Sequence, residues 1–138
     1  MRYLLCLFIF LFLPACGPRS LDDFRREGRE VTRMLTAELS KVQSRQDLLN
    51  AGSRLKSGFN HMVDVMIAAR EYYESHPAAE IPELTDQDQE YSDHLRMEID
   101  RVMRIEGADK LIAKYQEEAV GRLHLFQKRL LEKKLKIL

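Results

Sequence analysis

Four histidines and a scatter of carboxylates are the residues of this chain whose types suit metal or acid–base chemistry. Glu90, His94 and Glu98 stand at i, i+4 and i+8, which puts them on one face of a helix. His61 and Asp64 form a second pair at i, i+3. Imidazole nitrogens and carboxylate oxygens at these spacings are the donors from which a metal site between helices is built. The more specific patterns are missing: neither Glu-x-x-His nor His-Glu-x-x-His occurs. These five residues are therefore expected on solvated helix faces, with a metal site as the weaker reading. Met62, Met66, Met97 and Met103 raise the same question for haem held by a Met and a His. Met at helical spacing is first a gap-filling core residue. The serines fall at helix starts and in loops, outside any Gly-x-Ser-x-Gly turn, and there is no glycine-rich phosphate loop. The sequence implies no cofactor and no catalytic set, and it reads as a non-enzyme.

The cysteines carry a clearer message. There are two, Cys6 and Cys16, both near the N-terminus. Met1-Arg2 is a short positive start, and Tyr3 to Leu13 is an unbroken apolar run. That run is well short of the ~20 residues a spanning helix needs, and reads as the apolar core of a secretory signal peptide over residues 1–15. It closes on Leu13-Pro14-Ala15-Cys16.

This segment resembles the lipobox of bacterial lipoproteins, with Leu13 at −3, a small residue at −1 and Cys16 at +1. The resemblance implies that the Cys16 thiol takes a diacylglyceryl group, that the leader is cut before Cys16, and that the new amine is acylated. Pro14 departs from the Ala, Ser, Thr or Val more usual at −2. Cleavage after Ala15 without lipidation, and an uncleaved anchor, are the alternatives. Cleavage before Cys16 removes 15 of the 138 residues and leaves 123 with a single Cys. That excludes an internal disulfide or a Cys-based zinc site in the mature chain. Gly17 follows Cys16 where Asp, in the enterobacterial type, favours inner-membrane retention. The implied address is the bacterial cell envelope, on the periplasmic face of the outer membrane.

The elements that follow are helical. Gly17 to Ser20 is a tether of at most about 14 Å. Ser20 reads as an N-cap with Asp22 and Asp23 in the first turn. Leu21, Phe24, Val31, Leu35, Leu39 and Val42 recur at helical spacing. The pattern lapses at Gln43–Gln46, where Ser44 and Asp47 form a capping-box signature with Asp in place of Glu. A second helix carries Leu48, Leu49, Leu55, Phe59, Met62, Val63, Met66, Ala69 and Tyr73. Gly52 and Gly58 within it imply close helix approach or a kink. Residues 76–84 hold two prolines and form a loop, after which Thr85 caps a third helix. From Tyr91 to Leu130 twelve apolar positions span 39 residues, or 3.55 per step. The phase survives Gly107, so residues 86–136 are expected as one long helix or two joined at a kink, with Asp109 a candidate cap. The fold class is all-α, a three- or four-helix bundle over residues 21–138. A long two-helix antiparallel hairpin is the alternative.

Charge is balanced at 22 basic and 22 acidic residues, which gives no footprint for nucleic acid. Its distribution is uneven. Residues 71–93 carry eight acidic groups and no Lys or Arg, whereas residues 128–138 carry five basic groups and one acidic. Part of this complements helix dipoles. In an up-down-up-down bundle the two clusters would also share the end at which the chain enters. The expected role is a lipid-anchored helical envelope protein, a structural or protein-interaction module. Its partners would be the membrane, through the lipid on Cys16, and an envelope protein. The alternative is a small helical ligand- or metal-binding module.

Overall fold

The computed structural model describes residues 19–137. The expected leader, Cys16 and the first residues of the expected tether lie outside the described residues. Four helices account for most of the rest: α1 (Leu21–Ser40), α2 (Arg45–Ser75), α3 (Asp86–Met103) and α4 (Ala108–Leu135). No strand occurs among the described residues.

Three helix starts are fixed by the same local chemistry. Ser20, Ser44 and Thr85 each accept the backbone N–H three residues on through the side-chain oxygen. Asp23, Asp47 and Asp88 reciprocate by accepting the backbone N–H of the cap residue. Each pair satisfies two of the donors that a helix start leaves open. These Asp residues also place negative charge at the positive end of the helix dipole.

Helix α1 packs on α2 and on α3, α2 packs on α4, and the α3–α4 edge is the loosest. Specific contacts give the directions. Arg25 near the start of α1 reaches Asp88 near the start of α3, and Arg101 near the end of α3 reaches Leu39 and Val42 at the end of α1. These two helices are parallel. Tyr115 of α4 donates to the Leu48 carbonyl of α2, and Arg122 meets Asn60 and Asp64, so α2 and α4 are parallel as well. The short 41–44 turn makes α1 and α2 antiparallel. The bundle therefore runs up-down-up-down.

The core is a single cluster that draws on all four helices. Leu35, Leu39, Val42, Leu48, Leu55 and Val102 have almost no exposed surface, and Phe24, Val31, Phe59, Val63, Ala108, Ile112 and Ala119 complete it. The inward stripe read from the sequence holds along α1 and α4. On α2 it needs correction: Leu49 and Met66 are 40% and 48% exposed, and Val65 is buried at 7%. Val65 faces Gly28 of α1, where the absent side chain leaves room for it.

The two α2 glycines mark close approach rather than a kink. A Cβ at Gly52 would lie 2.5 Å from the Tyr115 hydroxyl of α4, and one at Gly58 would lie 2.5 Å from Cδ2 of Leu35 of α1. Both positions are buried, and each admits a bulky side chain from a neighbouring helix.

The expectation of a continuous or merely kinked helix over 86–136 is corrected. The chain reverses within residues 104–107. Backbone bonds from Arg104 to Arg101, from Ile105 to Val102 and from Ala108 to Ile105 close successive tight turns. Gly107 supplies the positive φ of 74°. It is the N-cap of α4 and makes no side-chain cap, while Asp109 sits in the first turn instead of capping. Ile105 stays partly buried against the core through the reversal, which preserves the apolar spacing across the break.

Candidate functional site

The residues with metal-binding types do not come together. His61 projects from α2 towards α1, where its Nε2 lies 3.0 Å from Oε1 of Glu27. Asp64 is engaged by Arg122 of α4. Glu98 accepts two hydrogen bonds from Arg101 at 2.7 and 3.0 Å. Glu90 and His94 line a shallow groove on the outer side of α3 with Asp86, Gln89, Asp93 and Met97. Helices α2 and α3 do not pack on each other, so the two half-sites are separated. No group of three His, Cys, Asp or Glu side chains converges among the described residues. Met66, Met97 and Met103 are exposed, and Met62 is part of the core margin.

What the fold does assemble is one end of the bundle. The start of α1, the end of α2, the 76–85 loop, the start of α3 and the end of α4 all meet there. Both ends of the described chain flank the last turn of α2. Ser20, Leu21 and Asp22 share a hollow with Tyr72, Ala79, Glu80 and Pro82. Phe126, Arg129, Leu130 and Lys133 line a cleft of about 310 Å³ with Glu71, Glu74 and Ser75. The basic end of α4 thus lies beside the acidic end of α2, as expected for an up-down-up-down arrangement. Within this end Phe24 packs on Tyr72 with ring centroids 5.9 Å apart, and Tyr72 stacks on His76 at 4.1 Å.

The strongest polar feature of this end joins α3 to α1. The Asp88 carboxylate is only 9% exposed. It accepts from Nη1 of Arg25 at 2.6 Å and from Nε of Arg29 at 2.7 Å. It also accepts from the Thr85 backbone N–H at 2.9 Å and the Thr85 hydroxyl at 2.8 Å. The hydrogen bond from Arg29, helped by those from Thr85 and Arg25, holds its carboxyl well below the usual carboxylate range despite burial. Arg25 is itself positioned by Asp22, one turn earlier on α1. Asp88 stands three residues after the Thr85 cap, a local capping-box spacing that says nothing of its partners on α1. Arg25 and Arg29 stand at i, i+4 beside the Phe24 and Val31 stripe, and that spacing was the available signal.

A second cross-link closes the opposite end. Helix α1 has no basic residue in its last turn. Arg101 of α3 supplies one, donating to the Leu39 and Val42 carbonyls at 2.8 Å each while paired with Glu98. A cation from a neighbouring helix thus satisfies carbonyls that a helix end leaves open.

Comparisons with models of known protein families, with characterised proteins and with solved structures found no match to this chain.

Proposed function

We propose that this chain is a lipid-anchored helical protein of a bacterial envelope, with Cys16 the lipidated first residue of the mature form. The observation that carries the reading is Leu13-Pro14-Ala15-Cys16 closing an apolar run behind a positive start. Cys16 is the only Cys that cleavage would leave, which suits an attachment point better than a thiol with no partner in the chain. The acyl chains supply the affinity: each buried CH₂ contributes about 0.8 kcal/mol, and two or more chains give stable anchoring.

The position of α1 supports this reading. Ser20 caps that helix four residues after Cys16. A tether of about 14 Å would hold the bundle against the bilayer rather than on a stalk. The bundle then serves as a compact module that presents helical surface to an envelope protein. Its address would be the periplasmic face of the outer membrane.

Growth of the native host with labelled fatty acid tests the anchor. The wild-type chain is expected to incorporate label and Cys16→Ser to lose it. Equal labelling of both would reject the anchor. Crosslinking of the anchored protein in intact cells tests the module, with one reproducible envelope partner as the expected result.

A further inference from the structure

We propose that the C-terminal tip of α4 is a second membrane contact, which lays the bundle's entry end on an anionic phospholipid surface. The inference rests on the reading that the chain is anchored to a bilayer at Cys16. Packing of α4 against the bundle ends at Leu130, and every described residue from Leu131 to Ile137 is exposed. Leu131 and Leu135 are 64% and 71% exposed, and Ile137 just beyond the helix is 77% exposed. At i, i+4 the two leucines share a face, and by helical rotation Lys128 and Lys134 lie to either side of it. Lys136 follows in the cap position.

Among the described residues the ion pairs of α4 are Glu118 with Lys56 and Arg122 with Asp64, both well before this segment. The acidic end of α2 accounts for Arg129 and Lys133, which line its cleft. Lys128, Lys134 and Lys136 do not line that cleft: the first two lie on other faces of the helix, and Lys136 stands beyond Lys133 at the cap. An exposed leucine face edged by lysines is the pattern of a helix that lies in the headgroup region. The apolar side chains enter the acyl boundary, and the lysines reach anionic phosphates.

The placement of the tip selects the occupant. It stands at the end where the chain enters the bundle, across the last turn of α2 from Ser20 and Leu21. A short tether on Cys16 would keep it at high effective concentration near the surface, so a contact too weak to hold alone would still be occupied. Glu80 and Glu83 of the neighbouring loop would repel the same surface. The bundle would therefore lean onto α4, with that loop turned outwards.

The test uses the unlipidated helical unit from Gly17 to Leu138. Among the described residues, the buried apolar side chains all lie between Phe24 and Phe126, inside this unit. It is sedimented with vesicles of phosphatidylcholine alone and of phosphatidylcholine with phosphatidylglycerol. Binding is expected only to the anionic vesicles and is expected to weaken with salt. Combined Lys128→Gln, Lys134→Gln and Lys136→Gln substitutions should lower the partition coefficient on the order of 100-fold, near fivefold per lysine. All three positions are exposed, so the variant should melt with the parent.

Equal binding to both vesicle types, no binding to either, or unchanged partition in the triple variant would overturn the proposal. Self-association abolished by the triple variant, without vesicle binding, would assign the tip to a second copy and also overturn it. The unit carries no Cys16, so this readout is separate from lipidation. Anionic binding in a protein that proves unlipidated in cells would support the tip and reject the anchor. A lipidated protein whose tip ignores vesicles would do the reverse.

Discussion

Asp88→Asn should detach the first half of α3 from the bundle. Helix α3 buries only two residues fully, Val102 near its end and Asp88 near its start. Its early turns are otherwise held by half-buried side chains, so the carboxylate carries a large share of the attachment. Asn keeps one acceptor oxygen but turns an amide donor towards a guanidinium, and it removes the charge that two arginines share. Removing one partner of a buried ion pair costs about 3–5 kcal/mol. Side chains of Arg25 and Arg29 are 18% and 20% exposed, so water relieves part of this, and the expected loss is about 2–4 kcal/mol. For a unit of this size the loss lowers Tm by roughly 8–15 °C.

The sign of the pH dependence follows from the depressed carboxyl. Its contribution is complete above the unfolded value of 3.8 and is lost as pH falls through the lower folded value. Wild-type stability should therefore fall more steeply below about pH 4 than that of Asp88→Asn. Thermal melts across pH, with amide hydrogen exchange on residues 86–95, provide the assay. The variant should lose protection in that segment while α1 and α2 keep theirs. A variant that melts with the wild type, with unchanged exchange in α3, would refute the assignment of this network as the α1–α3 link.

Glycine substitutions should split by position. Gly121→Ala meets nothing within 4 Å and Gly28→Ala meets only Val65 at 3.8 Å, so each should stabilise by up to about 1 kcal/mol in denaturant titrations. Gly52→Ala and Gly58→Ala press on Tyr115 and Leu35 and should each destabilise by about 1–3 kcal/mol in the same titrations. Phe59→Ala should cost about 3–5 kcal/mol, and Phe126→Ala less, about 2–3, because Phe126 is buried at the open cleft beside Glu71 and Glu74, away from the main cluster. Arg101→Ala uncaps the end of α1 and should cost about 1 kcal/mol, with faster exchange confined to the 41–44 turn and its flanks.

Three of the four helix starts were legible because a capping box is local: a hydroxyl and a carboxylate three residues apart contain the whole interaction. The inward faces of α1 and α4 were legible for a similar reason, since each buries one main stripe. Two features were hidden by the physics that builds them. Ile105 keeps its place in the core while the backbone reverses around it, so a count of apolar spacing passes through the turn without a gap. Val65 is buried opposite Gly28 of α1, and a stripe counted along α2 alone does not show that match. The cross-links of Asp88 and Arg101 join residues about 60 positions apart, and no local spacing encodes such pairs. The metal candidates failed on topology: His61 and Asp64 sit on α2, Glu90, His94 and Glu98 sit on α3, and these two helices do not pack together. The charge clusters, by contrast, met as an alternating bundle requires.

The central claim, a lipid on Cys16, is tested most directly by mass spectrometry of the mature N-terminal peptide from host membranes. The account predicts a peptide that begins at Cys16 and carries a thioether-linked diacylglyceryl group. A peptide that retains residues 1–15, or one that begins at an unmodified Cys16, would contradict it.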